Sequence, residues 1–357
     1  MSTPSPLTLP PVAPAAARHI EVLGSLSELT ALRAEWWTLW HSLPDATPFL
    51  SPTWILCWAR HYAPDRTRAI AVREHGTLVA LLPFFSWRGT LLLAGTGPSD
   101  CGDALIAPGR EQLGEDLLHS LVAAAEALGC AKIDLQQLPP HSSLLRARTP
   151  QGWHSRVRDG DLCTVARARG EQGLGCINGK TRRNLRLAQR NLCREGEVVL
   201  GPLPKAEWRG AARTLEWLHG RRWRERGEPG KLSDPLMCAF MRSLIPDLGE
   251  AGLLRFCRLK CDNRPLAAAL VMHSGNAAHF YLTGFDPVWS RFSPGLLTIV
   301  AAMRNASGEG VQEFHFLRGR EAYKYRLGAE DRPMFCRALL RRGHAVAPVA
   351  TGTDGAV

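Results

Sequence analysis

Apolar positions along this chain recur at two spacings, and the switches between them predict the elements. Period-two runs mark strands at residues 19–25, 68–73, 78–85, 132–138, 253–260, 265–273, 277–283 and 311–317. Leu29, Leu32, Trp36, Leu39 and Trp40 lie on one face of a helix predicted over 27–43 and stopped at Pro44. Ser51 followed by Pro52 starts a second helix that runs to Tyr62. The tetrapeptide EHGT, with Gly76, is a hairpin turn between the strands at 68–73 and 78–85. A strong amphipathic helix covers 112–128, with Gly129 as its stop signal. A further helix is predicted over 295–306, and three more over 180–195, 205–226 and 234–248.

The order strand, strand, strand, loop, helix, strand occurs twice, about 180 residues apart. A length of 357 residues suits two domains better than one. The pattern therefore predicts an α/β chain of two like units, each a mixed sheet flanked by helices. The first covers 18–160 and the second 161–343, with a helical insert at 180–248. The Pro/Ala-rich residues 1–17 and the end at 344–357 are expected to be disordered tails.

Composition sharpens this outline. Hydrophobic residues make up 45% and charged residues 22%, which fits a globular protein with a real core. The net charge of +11 comes mostly from arginine and favours anionic partners. The ten cysteines are scattered, with no CxxC pair and no zinc-ligand spacing, so no metal is expected. Reduced buried thiols, no secretory leader and no membrane-length apolar run point to a cytoplasmic protein without a transmembrane segment. Nothing in the sequence fixes the oligomeric state.

The densest chemistry lies at VQEFHFLRGREAYKYRLG, residues 311–328. Phe314 and Phe316 share one strand face, Glu313 and His315 the other, and Arg318, Tyr323, Lys324 and Tyr325 follow. Two of the chain's four tyrosines flank one of only six lysines, against 38 arginines. Such a group at a strand's end can bind an anion or move a proton, and the bland alternative is a charged edge hairpin. Lys324 is the member expected to face substrate, with at least one tyrosine packing.

The loop GFDPVWSRFSPG opens the helix at 295–306. Ser293 can cap that helix, Pro294 suits its first position, Gly295 allows close backbone approach, and Arg291 beside Phe292 adds a cation. Together they suit a pyrophosphate. Ser99, Asp100 and Asp103, in the loop after the strand LLLAG, could orient an acceptor amine or hydroxyl. In KTRRNLRLAQRNL, Lys180 and Arg183 lie nearest a site, whereas the stripe Arg182, Arg186 and Arg190 reads as solvated. GLGCINGKT departs from a phosphate loop at Leu174. His273, His279 and His315 sit on strands, where packing or hydrogen bonding is commoner than catalysis.

The motifs NGKTRRNLRLAQRNL, YLTGFDPVWSRFSPGLL and EFHFLRGREAYKYRLG, in this order of elements, resemble the CelD-like branch of the GNAT acyltransferases. That family's architecture is tandem and related to the Fem-type aminoacyltransferases. The resemblance implies direct transfer of an acyl group from acyl-CoA, acetyl-CoA first among donors, to an amine or hydroxyl of a small-molecule or saccharide acceptor. It places the donor at 291–295, although the usual Q/R-x-x-G-x-G/A is absent. Residues 279–283, with Tyr281, would offer a free N–H to the carbonyl, and Tyr323 or Tyr325 would protonate the thiolate. An aminoacyl-tRNA donor is the alternative, and a non-enzymatic nucleic-acid-binding module is disfavoured.

Overall fold

The structure is a computed structural model that describes residues 18–168, 170 and 173–343. The tails expected at 1–17 and 344–357 lie outside the described residues. The first half runs β1 (Arg18–Leu23), α1 (Leu26–Ala31), α2 (Arg33–His41), α3 (Pro52–Tyr62), β2 (Thr67–Glu74), β3 (Thr77–Trp87), β4 (Thr90–Leu93) and β5 (Leu105–Ile106). It continues through α4 (Leu113–Ala127), β6 (Lys132–Leu138), α5 (Ser143–Arg146) and β7 (Trp153–Asp159). The second half begins with β8 (Cys163–Arg167), α6 (Gly179–Leu192), β9 (Val198–Pro202), α7 (Trp208–Glu225) and α8 (Pro235–Glu250). Then come β10 (Leu254–Cys261), β11 (Arg264–Ser274), β12 (Ala277–Phe285), α9 (Pro294–Gly308), β13 (Glu313–Arg318), α10 (Ala322–Arg326), β14 (Glu330–Arg332) and β15 (Phe335–Arg341).

Local signals account for much of this. Ser51 accepts a hydrogen bond from the Trp54 amide and Pro52 opens α3, as the capping pattern predicts. His75 and Gly76 both take positive φ, the two-residue turn that matches strand twist between β2 and β3. The helix predicted over 27–43 is instead two helices, divided at Leu32.

Two sheets form, in the orders β1-β2-β3-β4-β6-β15-β7 and β14-β8-β13-β12-β11-β10-β9, with β5 beside β3. Each contains one parallel pair among the described strands, β4 with β6 and β12 with β13, bridged by α4 and α9 respectively. The repeated order read in the sequence is thus a repeated topology. One strand, β15, also returns from the second half to the first sheet. β7 and β14 are edge strands, while β8 and β15, which directly follow them, cross into the other sheet. At the crossing the Gly160 amide donates to the Met334 carbonyl at 2.7 Å. A Cβ on Gly160 would lie 3.2 Å from that carbonyl and 2.5 Å from Gln137 Oε1, so any larger residue would have to displace the Gln137 side chain. The sequence pattern placed 335–341 with the second unit; the structure puts it in the first sheet.

Nor do residues 180–248 stand apart as an insert. β9 pairs with β10, and α7 lies so tightly on β12 that a Cβ on Gly284 would be 2.3 Å from the His219 amide. Three apolar clusters hold the assembly. One, rich in tryptophan, joins α2 and α3 to α7 and α8 between the halves; the second lies under α6 and α9, and the third under α4.

Candidate active site

β12 and β13 pair only at Ala277–Glu313, Ala278–Phe314 and His279–His315, and then diverge. On its other side β12 carries a bulge: Leu282 faces Leu270 and Phe280 faces Val271, leaving Tyr281 as the extra residue. A bulge frees backbone from the ladder and re-aims it. The result is a wedge with an unmatched residue at its apex, at the position expected from 279–283. In the first sheet the matching wedge is filled by its own loop. The Gly102 amide donates to the Gln137 carbonyl at 3.0 Å, and a Cβ there would lie 2.9 Å from the Gln136 carbonyl.

The mouth of the second wedge is cationic, through residues the sequence reading passed over. Arg222, near the end of α7, lies 5.2 Å over the Phe285 ring where β12 ends, and it interacts electrostatically with Tyr323 and Glu321 at α10. It therefore reaches across from one strand's end to the other's. No ion pair holds it among the described residues, its Nε is buried without a partner, and burial pulls its guanidinium below the usual arginine range. His219 is neutral, pushed down to about 4 by burial and by Arg222 and Lys231. Arg221 is tied to Asp286 at 3.1 Å, fixing α7 to the loop after β12.

Helix α9 adds its amino end. Ser293 does not cap it as expected: the residue sits at φ 52°, ψ 47°, with no side-chain bond to the helix. The first-turn amides are thus left without the expected hydroxyl. Gly295 abuts Phe285, whose Cδ1 would lie 3.1 Å from an added Cβ, so Phe285 links this end to Arg222. Pro294 and Phe292 are buried. Arg291, expected at the pyrophosphate, pairs instead with Glu195 at 3.2 Å and is largely exposed.

The YKY segment folds as a helical turn, and its lysine points inward. Lys324 is 2% exposed; its Nζ donates to the carbonyls of Arg318 at 2.6 Å, Gly319 at 3.1 Å and Leu317 at 3.4 Å, and pairs with Glu321 at 2.9 Å. This corrects its expected role, because an ammonium with every proton engaged cannot face substrate. The Tyr325 hydroxyl donates to Asp331 at 2.7 Å on the surface. Tyr323 packs edge-on against Phe316 at 6.3 Å, and burial holds its phenol well above the ordinary range, hence protonated.

Ser99, Asp100 and Arg318 come together from opposite halves but satisfy one another. Arg318 pairs with Asp100 and donates to the carbonyls of Gly97 at 2.9 Å and Ser99 at 3.3 Å. Ser99 Oγ accepts from Trp54 Nε1 at 2.8 Å. Lys231 stands 3.9 Å from Asp100 and 5.5 Å over the Tyr281 ring, while the buried Tyr281 hydroxyl donates to the Pro98 carbonyl at 3.0 Å. The loop locks the halves at the wedge. Lys180 and Arg183 are exposed on α6, and Arg182, Arg186 and Arg190 lie in solvent with them.

Behind this lock lies a cleft of about 680 Å³ between the halves, lined by Asp100, Asp103, His141, His279, Glu313 and His315 among others. His315 Nε2 meets Glu313 Oε2 at 3.2 Å, and Arg332 grips the same carboxylate at 3.0 Å. The His315 hydrogen bond and Arg332 hold Glu313 down at about 2. Burial lowers His315, so the ring is neutral, donates to Glu313 from Nε2 and leaves Nδ1 basic. Asp103, bonded to Ser142 at 2.7 Å, is pushed up to about 7 by burial.

Two mixed sheets flanked by helices, each splitting at a parallel pair, define a tandem GNAT-like fold. Residues 179–325 match the family described as Acetyltransferase (GNAT) domain; the chain carries that domain and is an acyltransferase. Among solved structures it is similar to FemX, at 12% identity and TM-score 0.66, covering 85% of this chain and 95% of that one. It is also similar to the C-terminal domain of a putative lysylphosphatidylglycerol synthetase from Agrobacterium fabrum, at 13% identity and TM-score 0.57, covering 88% and 92%. A conserved protein of unknown function from Bacteroides thetaiotaomicron aligns at 11% identity and TM-score 0.59, covering 90% and 100%. At these identities the likeness is one of fold. No curated protein sequence matches the chain significantly. Among the described residues no helix is long and apolar enough to cross a membrane.

Proposed function

We propose that the protein transfers an acyl group directly from an acyl-CoA to an amine or hydroxyl of a saccharide or cell-envelope precursor, in the manner of the CelD-like branch. The observation that carries this reading is the bulged wedge at Tyr281 opening onto the unpaired Arg222. The thioester carbonyl would lie at the bulge, where a backbone N–H can stabilise the developing oxyanion. The pyrophosphate would meet Arg222 and the amino end of α9. Acetyl-CoA is the smallest such donor, and it suits a cytoplasmic setting.

The acceptor would enter the cleft between the halves, whose mixed carboxylate and imidazole lining suits a polyhydroxylated molecule. Residues 18–160 would then serve the acceptor side and 161–343 the donor side. His315 is the base in this reading. It is paired across the sheet with His279, two residues and about 6–7 Å along the strand from Tyr281. Tyr323, protonated at the wedge mouth, would return a proton to the leaving thiolate. The unpaired Arg222 at the wedge, with the arginines of α6 lying in solvent, supports a CoA enzyme over a nucleic-acid-binding module.

Calorimetric titration with CoA and acetyl-CoA tests the donor, and absence of binding by both overturns the reading. The base is tested by the pH profile of kcat/KM. Because the folded His315 is lowered from 6.5, its neutral, active form persists below that pH. The rate should rise with pH to a plateau reached from a midpoint under 6.5, and His315→Gln should lower it about 10²- to 10⁴-fold. A His315→Gln enzyme with normal turnover would remove the base.

A further inference from the structure

A second opening, a groove of about 860 Å³, separates α7 from α8. Trp208, Ala212 and Leu215 form one wall, Met241 and Ile245 the other, and Leu282 the floor. Its inner end is the informative part. Leu282 directly follows Tyr281, the bulged residue, and Leu232, also lining the groove, directly follows Lys231. Lys231 in turn stands over the Tyr281 ring, 3.9 Å from Asp100. The groove thus begins beside the place where a thioester carbonyl would lie and runs outward between the helices. From Glu216 back to Trp208, α7 advances about 12 Å.

Two further features set the chemistry. The walls are apolar and partly soft, with Met241 and Cys238 able to adapt to a variable shape. Polar groups gather at the sides: Glu216 of α7 pairs with Arg242 of α8 at 2.7 Å, bridging the two helices, and Lys205, Arg209 and Arg213 line the outer stretch. A concave, largely apolar trench that opens beside a reactive centre is the usual form of a small-molecule site. A flexible hydrocarbon chain fits the apolar inner stretch between Leu215, Met241, Ile245 and Leu282.

The geometry points to a groove that binds the linear aliphatic chain of a substrate, the chain being the acyl group of the thioester donor. This rests on the acyl-CoA reading above and extends it from acetyl to medium- or long-chain donors. Calorimetry on the full chain with CoA, acetyl-, octanoyl-, lauroyl- and palmitoyl-CoA tests it, with octyl glucoside as a chain-bearing probe that is no thioester. Affinity should rise by about fourfold per methylene buried, then level off once the chain outgrows the groove. Ala212→Phe, which narrows one wall, should flatten that rise while free CoA binds as before.

The outcomes separate. Failure of free CoA to bind overturns the donor reading itself. CoA binding with a flat acyl series overturns the groove assignment and leaves that reading standing. A flat series with octyl glucoside bound alongside CoA, and lost in Ala212→Phe, moves the chain from donor to acceptor and overturns the assignment to the acyl group. A rising series that Ala212→Phe leaves untouched places the chain elsewhere and overturns the groove.

Discussion

Lys324→Ala should cost about 3–5 kcal/mol of stability, because it empties a buried site and orphans the carbonyls that the ammonium gathers. At roughly 1–2 °C per kcal/mol for a chain of this size, the melting temperature should fall by about 4–7 °C. The reason is local. The ammonium gathers the carbonyls of Leu317, Arg318 and Gly319 at the end of β13, where the strand turns into α10. Truncation leaves those acceptors without their donor, leaves Glu321 unpaired and opens a cavity around a 2%-exposed side chain. Arg318, which ties the second half to the 97–100 loop of the first, would lose its anchored backbone. Calorimetric melting decides the matter. An unchanged melting temperature with abolished turnover would restore Lys324 to a substrate-facing role.

Lys324 stands out by rarity, and rarity marks importance without marking direction. In an extended segment the two tyrosines would share a face and the lysine would project opposite. The segment closes instead into a helical turn, and the lysine becomes the bolt of that turn. Ser99, Asp100 and Arg318 illustrate a related limit. Their charges pick them out along the chain, and the fold does bring them together over more than 200 residues. The contact joins them to each other, which no reading of one segment at a time can show.

Elements with strong local signals were legible. α3 begins at its predicted cap, and β6 spans Lys132–Leu138 as its alternation predicts. β7, WHSRVRD, escaped notice because an edge strand that buries only Trp153 has no apolar alternation to see. β15 carries a readable apolar run, but its partners lie some 200 residues earlier in the chain. The return of β15 to the first sheet is a property of the pair of halves, set where Gly160 meets Met334. Ser293 misled for a smaller reason: Ser-Pro suits a cap, yet the preceding 3-10 turn at Pro287–Phe292 ends with Ser293 in the left-handed region, carrying its hydroxyl away from the helix.

The wedge mouth has no local signal in the sequence, and Arg222 is where it can be tested most sharply. The run HGRRWRER reads as a solvated helix end rich in arginine. In the fold Arg222 lies over Phe285 with its Nε buried, unpaired and facing no carboxylate ion pair among the described residues. Such a group contributes little to the stability of the free protein, since a half-buried charge without an ion-pair partner forgoes part of its hydration. It also stands ready for an anion, because part of its desolvation precedes the ligand's arrival. Both effects follow from one cause. Arg222→Ala should weaken CoA binding by about 10- to 150-fold, the loss of a charge-assisted hydrogen bond of about 1.5–3 kcal/mol. The same variant, without ligand, should melt no lower than the parent. Titration with CoA and melting of the free protein, done on one preparation, check the two halves. A variant that melts far lower and binds CoA normally would make Arg222 a packing residue and move the pyrophosphate elsewhere.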